Sequence, residues 1–467
     1  METIHRLIKE GSLLKALFFL GWPIMVTSLL QSAYNLADTF WVGRLGTIQG
    51  AESIAALSLV WPVVWLMMSF AQGAGMAGVA LVSQNIGAGD HARANRIAGE
   101  IFAMFLTFSV IVSIIGFIGA SHMVDILSPP GPVNDRAAQY LRIIFLGQPF
   151  MFITIAFTFL LRGYGDTKTP MYVNLVSVCI NIVLDPIFIF GYGLDWGGFG
   201  FIGVAYATVF SRAIAAILAA FILFKGSKGI SLTLQSLKPV KEDVMKILRV
   251  AIPSSIGGSG AALGFVVISA LVARVGDGMV PLAALGIGNR VTSMIFIVII
   301  GLSMSLATIV GQNLGANNVE RAERAGKLAM VLMFGILGVA SLILWLVREP
   351  LIGIFTDNPE VIAEGSRFLF IFALFMPFFG VFRAVGAVYN GSGHTKYTMA
   401  LSLLRLWGLR VPLIVLLVFL LAWGPVGIWW AMGISNVVAG AIAVGFFYWG
   451  KWKTPIEKPV IARVKHD

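Results

Sequence analysis

At 467 residues, 58% of them hydrophobic and only 12% charged, the chain is far more apolar than a soluble domain, which carries roughly 45–50% apolar and about 25% charged residues. That balance excludes a soluble globular protein and predicts a polytopic membrane protein, so the net charge of +11 speaks to loop placement rather than to nucleic acid. Cys179 is the sole cysteine, which excludes a disulfide within one chain and any cysteine-based metal cluster.

A membrane-spanning helix needs about 20 mostly apolar residues. Twelve such runs fall, in chain order, at 14–40, 54–81, 97–119, 138–160, 169–191, 200–223, 247–273, 283–309, 326–347, 363–388, 397–422 and 425–449. They predict an all-α protein of 12 transmembrane helices. The first run has a basic flank (Arg6, Lys9, Lys15), as a signal peptide does. It is too long for one, however, and ends in Ala37-Asp38-Thr39 without a small-residue cleavage site, so it reads as a retained span.

Span 1 carries Gln31, Tyr34, Asn35 and Asp38 at i, i+3, i+4 and i+7, one polar face of a helix ending in a carboxylate. The loop that follows span 2, Val82–Gly89 (VSQNIGAG), returns in the second half as Val310–Asn317 (VGQNLGAN). Arg93-Ala94 returns as Arg321-Ala322 at the same offset. Gly163, Gly165, Thr167, Lys168 and Met171 return as Gly391, Gly393, Thr395, Lys396 and Met399. Two loop signatures in one register mark an internal duplication. Six spans per copy return the chain to the same side, so the copies are parallel repeats of the kind found in transporters.

Span 5 repeats the polar pattern with Asn174, Ser177, Asn181 and Asp185 on one narrow face. Span 6 adds Tyr206, Thr208, Ser211 and Arg212. The longest internal hydrophilic stretch, Lys225–Arg249, then divides the chain. The expected organisation is an N-lobe at 1–224, a cytoplasmic linker at 225–246, a C-lobe at 247–450 and a cytoplasmic tail at 451–467. Lysine and arginine concentrate in the loops on the side of both termini, whereas Glu349, Asp357, Glu360 and Glu364 cluster opposite. The positive-inside rule therefore places both termini in the cytoplasm.

An aspartate inside the hydrocarbon zone costs at least ~2.5–3.5 kcal/mol on insertion scales and is usually turned inward and functional. The competing reading is that Asp38 and Asp185 sit at the far ends of their spans in water. At ~1.5 Å per residue Asp38 is roughly 36 Å along span 1 and Asp185 about 24 Å along span 5, which leaves the interfacial reading more room for Asp38. Pro23 lies early in span 1 and is the proline whose kink bears most on that polar face. The second half lacks both acids: its corresponding positions fall near Ile268 and Leu413, and it carries instead Arg290, Arg383, Arg405 and Arg410. Arg383 and Arg405 either snorkel to the cytoplasmic face or line the cavity and bind lipid, anions or helix ends.

Together, the twelve spans, the parallel halves, the paired QN-G loops, the LRGYGDTKTP segment and the NLADTFWVGRLG stretch resemble the multidrug and toxic compound extrusion (MATE) transporters, over nearly the whole chain. Tyr34 to Trp41 and Asn181 to Pro186 look like the motifs of the archaeal and DinF-like branch. The resemblance implies two pseudo-symmetric six-helix bundles and export of organic cations or drugs by H⁺ or Na⁺ antiport through alternating access. It places the cation-coupling site on Tyr34, Asp38, Asn181, Asp185 and Thr208, with Asp38, Asp185 and Asn181 as the Na⁺ ligands if Na⁺ is the ion. Gln31 lies beside that site, and Asn35, Asn174 and Ser177 join Gln31 in lining the cavity. Pro23 matches the helix 1 hinge. The NorM-like acidic site of the second lobe has no counterpart, since spans 7 and 10 hold no Asp or Glu apart from Glu364 at the edge.

No cofactor is expected beyond the coupling ion. The expected setting is the plasma membrane of a prokaryote, with membrane lipid as a partner and a monomeric state. A lipid-linked oligosaccharide or lipid flippase of the same superfamily is the alternative, for which the second-half arginines would suit a pyrophosphate, although such flippases commonly have fourteen spans. An intramembrane enzyme is disfavoured because no histidine falls mid-span and no HExxH or GxSxG motif stands in a credible context. No GxxxxGK[ST] loop is present, so the energy source is an ion gradient.

Overall fold

The structure, a computed structural model, describes residues 2–128, 131–193, 197–226, 228–276 and 278–457. After a short amphipathic helix (Glu2–Lys9), the spans run Leu13–Gly43, Glu52–Gly87, His91–Leu127, Pro132–Tyr164, Lys168–Phe190, Phe201–Lys225, Lys241–Val272, Met279–Gly315, Val319–Gly353, Pro359–Gly391, Thr395–Leu420 and Pro425–Trp449. All twelve expected runs are helical, and several extend beyond the apolar stretch into the loops. Side-chain caps set those ends: Asp90 accepts from the Arg93 amide (2.9 Å), Asn318 from the Arg321 amide (3.1 Å) and Asp166 from the amides of Lys168 and Thr169 (3.0 Å each). Span 7 begins at Lys241, inside the segment expected as linker, with Glu242 and Asp243 favourably placed in its first turn.

Span 4 is two helices, Pro132–Leu146 and Gln148–Tyr164, bent by 51°. The bend has two local causes. Pro149 has no amide to donate, and Gly147 lets Val209 of span 6 approach so closely that a Cβ would lie 2.5 Å from its methyl group.

The duplicated segments expected as loops are the helical ends of spans 2 and 8, and they meet each other. Gly87 packs on the backbone of Gln312, where a Cβ would stand 2.0 Å from the carbonyl oxygen, and Gly315 packs on Gln84 with 1.9 Å to the same atom. Gln84 Nε2 donates to the Gly391 carbonyl (3.1 Å), and its counterpart Gln312 Nε2 donates to those of Gly163 (3.2 Å) and Tyr164 (3.0 Å). The two sequence echoes are thus the two sides of one contact made twice, about a pseudo-two-fold axis between the bundles.

Both ends of the chain reinforce this seam, each on one side of it. Asn313 Nδ2 and Arg321 Nε donate to the Ile8 carbonyl (3.3 and 3.0 Å). On the other side Gln84 Oε1 accepts from the Glu457 amide (3.1 Å), Lys246 Nζ reaches the Glu457 carboxylate (3.3 Å), and Arg93 forms a two-pronged ion pair with buried Asp243. From the seam, contacts between the bundles continue through Gly301 against Met25 and Ser255 Oγ on the Phe70 carbonyl (2.9 Å) to the Trp65–Phe265 ring pair. Past that level Leu29, Trp61, Val266 and Met294 stand exposed, and the cleft opens away from the seam.

Because Gly315 faces backbone rather than a flexible side chain, Gly315→Val is expected to lower the melting temperature by several degrees and cut the monodisperse yield, consistent with overpacking costs of ~1–3 kcal/mol. Gly445→Val, which enters open space, should leave both unchanged. Fluorescence-detected size-exclusion melting of the two variants checks this.

Candidate functional site

Spans 1, 5 and 6 of the first bundle bring the sequence-selected residues together. Asn181 and Asp185, four residues apart on span 5, lie on its buried face and are both 0% exposed. Asn181 Nδ2 donates to Asp185 Oδ1 at 3.2 Å, which orients the carboxyl and leaves Asn181 Oδ1 turned the other way. Asp38 of span 1 is half-buried and lies within direct reach of both Asp185 and Asn181. Tyr34, one helical turn earlier, is buried beside Thr208 of span 6, and the guanidinium carbon of Arg212 sits 5.4 Å from the centre of the tyrosine ring.

Five buried oxygens here lack a hydrogen-bond partner of regular geometry, although Tyr34 lies near Thr208 and Asp38 near Asp185: Tyr34 Oη, Asp38 Oδ1, Asn181 Oδ1, Asp185 Oδ2 and Thr208 Oγ1. Leaving a buried polar atom unpaired costs ~1–3 kcal/mol, so five in one place need an explanation. Three are acceptors only, and the two hydroxyls can act as acceptors. The set is therefore suited to a proton on a carboxyl or to a small oxygen-seeking cation. Arg212 is a cation of the protein's own, close enough to act on Asp38 and Tyr34 electrostatically.

A cavity of about 270 Å³ adjoins the acids on the cleft side, with Gln31, Tyr34, Asn35, Asp38, Thr208 and Arg212 among its walls. Asn174 and Ser177, expected in that wall, do not line it. Ser177 spends its hydroxyl on the Ser211 carbonyl (3.2 Å), fastening span 5 to span 6. Tyr206 faces outward against Phe199. Pro23 is buried inside an unbroken helix, Leu13–Gly43.

Sequence reasoning missed the opposite wall. Trp61, Trp65 and Met68 of span 2, with Tyr140, Gln148 and Met151 of span 4, complete the cavity. Its apolar side is aromatic and thioether in character, adaptable and attractive to a cation. Tyr140 sits on the half of span 4 whose bend at Gly147 aims it inward, and no periodicity in the sequence signals that bend.

Two repeated six-span bundles with a buried polar site beside a cavity have the architecture of a membrane transporter. The chain belongs to the MatE family, whose pattern matches residues 23–187 and 253–416, once in each half. It is 28% identical over 92% of both chains to the probable multidrug resistance protein YoeA of Bacillus subtilis. It is also 26% identical to the FAD transporter of Shewanella oneidensis, over 94% of this chain and 95% of that protein. Among solved structures it matches an outward-facing conformation of a multidrug resistance MATE family transporter of the MOP superfamily. There the TM-score is 0.87 at 26% identity, covering 96% of this chain and 97% of that one.

The hydroxyls of Tyr34 and Thr208 make no regular bond to the rest of the fold. Tyr34→Phe and Thr208→Val should therefore leave thermal stability within ~0.5 kcal/mol of the parent or raise it, while drug export falls at least tenfold. Ser211→Ala removes a hydroxyl already bonded to the Thr208 carbonyl (3.0 Å) and should show the reverse pattern, a lower melting point with export retained.

Proposed function

We propose that the chain is a secondary active multidrug exporter that exchanges H⁺ or Na⁺ for organic cations by alternating access. The observation that carries the reading is the set of five unpaired oxygens on Tyr34, Asp38, Asn181, Asp185 and Thr208. The multidrug resistance names of relatives such as YoeA agree with it. With both termini cytoplasmic, as the basic loops on that side favour, the seam is the closed inner gate and the cleft faces outward. A cation arriving from outside neutralises the Asp38–Asp185 pair, which removes the attraction that holds a cationic cargo nearby and releases that cargo outward. Arg212 takes part by competing for the same carboxylates once the ion departs. If Na⁺ is the ion, Asp38, Asp185 and Asn181 are its ligands. The chain works as a monomer in the plasma membrane of a prokaryote.

Efflux of a fluorescent organic cation from proteoliposomes, under a pH gradient alone and a Na⁺ gradient alone, tests this. Parent protein should respond to one gradient, and Asp38→Asn and Asp185→Asn should each abolish the response while remaining folded. Transport unaffected by either gradient, or retained in both variants, would sink the coupling site and move lipid or lipid-linked sugar translocation to the front. Because one relative is named for FAD, the same vesicles loaded with flavin nucleotide separate cationic from anionic cargo.

A further inference from the structure

The second bundle has the opposite chemistry at its centre. Arg383 of span 10 and Arg405 and Arg410 of span 11 form a chain of cations: the charge acting on Arg410 is Arg405, and that acting on Arg405 is Arg383. Among the described residues no carboxylate pairs with any of the three or figures among the charges acting on them: span 7 gives Asp243 to Arg93, and span 9 gives Glu320 to Arg324 and Glu323 to Lys327 and Lys453. Span 12 holds no acid at all, and span 10 offers Glu360 at its outer first turn and Glu364. The latter is committed to Arg367 (3.1 Å) and to the indole of Trp429 (2.6 Å).

Neutral groups hold the guanidiniums in place. Arg410 Nε donates to Ser435 Oγ and its Nη2 to Asn436 Oδ1, each at 2.9 Å, while Arg405 Nη1 donates to the same Asn436 oxygen at 3.2 Å and lies 5.1 Å from the rings of Phe379 and Phe382. Two buried donors remain unpaired, Arg405 Nε and Asn436 Nδ2. Asn436 is unambiguous in orientation because its oxygen already serves both arginines. Span 11 is also π-helical over Leu404–Arg410, a wide turn frequent at functional sites that here turns both arginines toward span 12. The orphaned atoms of the Asp38–Asp185 site are oxygens, whereas those of Arg405 and Asn436 are donors.

We infer that Arg383, Arg405 and Asn436 form a binding site for a phosphate group, as a free phosphate species or as an anionic lipid headgroup, with Arg410 holding Asn436 in position. Guanidinium forks match phosphate oxygens in pairs, and an anion supplies the counter-charge that the surrounding spans lack. Of these residues Arg383 reaches the interface between the bundles, the proposed route of access. Arg383 lines a cavity of about 40 Å³ there with Ser303, Asn390 and Ser402, closed on one side by Met76 of the first bundle. The site is therefore tight while the seam is closed and widens when the bundles part.

The site stands apart from the ion-coupling reading, and its test separates the two. Full-length protein in dodecyl maltoside is titrated with inorganic phosphate, with phosphatidylglycerol and with uncharged diacylglycerol, following the melting temperature. A saturable rise is expected with phosphatidylglycerol or phosphate and none with diacylglycerol. Arg405→Gln and Arg383→Gln should each weaken it at least tenfold, Arg405→Lys should restore part of it, and Asp38→Asn should leave it unchanged. Binding of phosphatidylglycerol alone assigns the site to a lipid headgroup, and binding of both in competition assigns it to a soluble phosphate species. No saturable rise with either, or the same curve in both glutamine variants, overturns the inference.

Discussion

The contact on which the rest of the structure depends is the crossing of two glutamine side chains over a glycine-lined seam. Gln84 reaches the carbonyl of Gly391 and Gln312 that of Gly163. Either bond forms only because Gly87 and Gly315 let the facing backbones come within the space a Cβ would take. In lipid there is little hydrophobic drive to bring two bundles together, so close packing of small residues and interhelical hydrogen bonds must do it. Amide-to-carbonyl bonds are each worth only ~0.5–1.5 kcal/mol net. Such a seam holds a conformation without making it irreversible, as a transporter needs.

The duplication that builds the seam is not carried into the chemistry. The first bundle gathers acceptors and two carboxylates at Tyr34, Asp38, Asn181, Asp185 and Thr208, and the second gathers guanidiniums at Arg383, Arg405 and Arg410. Repeating the backbone supplies two bundles that can rock against one another.

Much of this was legible in the residues. Spans show themselves because apolar length is a direct physical requirement of the bilayer, and the polar stripes of spans 1 and 5 show themselves because helical periodicity projects them onto one face. The seam partners Gln84 and Gln312 were visible as repeats, although nothing in the sequence says that one echo binds the other. The bend at Gly147 was hidden, since it depends on the close approach of Val209 from span 6, and with it went Tyr140 and Gln148 of the cavity wall. Ser177 misled for a related reason: its helical face is correct, but the span it faces is the one it fastens to.

Span 1 is the physical link between the candidate site and the seam. Its outer half carries Tyr34 and Asp38 into the site, and its inner half packs Gly21 and Met25 against Ser305 and Gly301 of the second bundle. Pro23 lies between those two packing residues, where the missing amide leaves the Phe19 carbonyl without its regular helical partner. Thr27 and Ser28 bond back to the Pro23 and Ile24 carbonyls (2.8 and 3.1 Å) just beyond it, and such back-bonding also eases helix bending. A helix weakened at that level transmits a change at Asp38 as a change of direction rather than as strain along its whole length. Shifting a two-state population from 1:99 to 99:1 takes about 5.5 kcal/mol of differential binding, more than a single surface ion pair supplies. On the proposed ion-coupled reading, the difference comes from a pair of carboxylates taken out of water, with three further unpaired oxygens beside them.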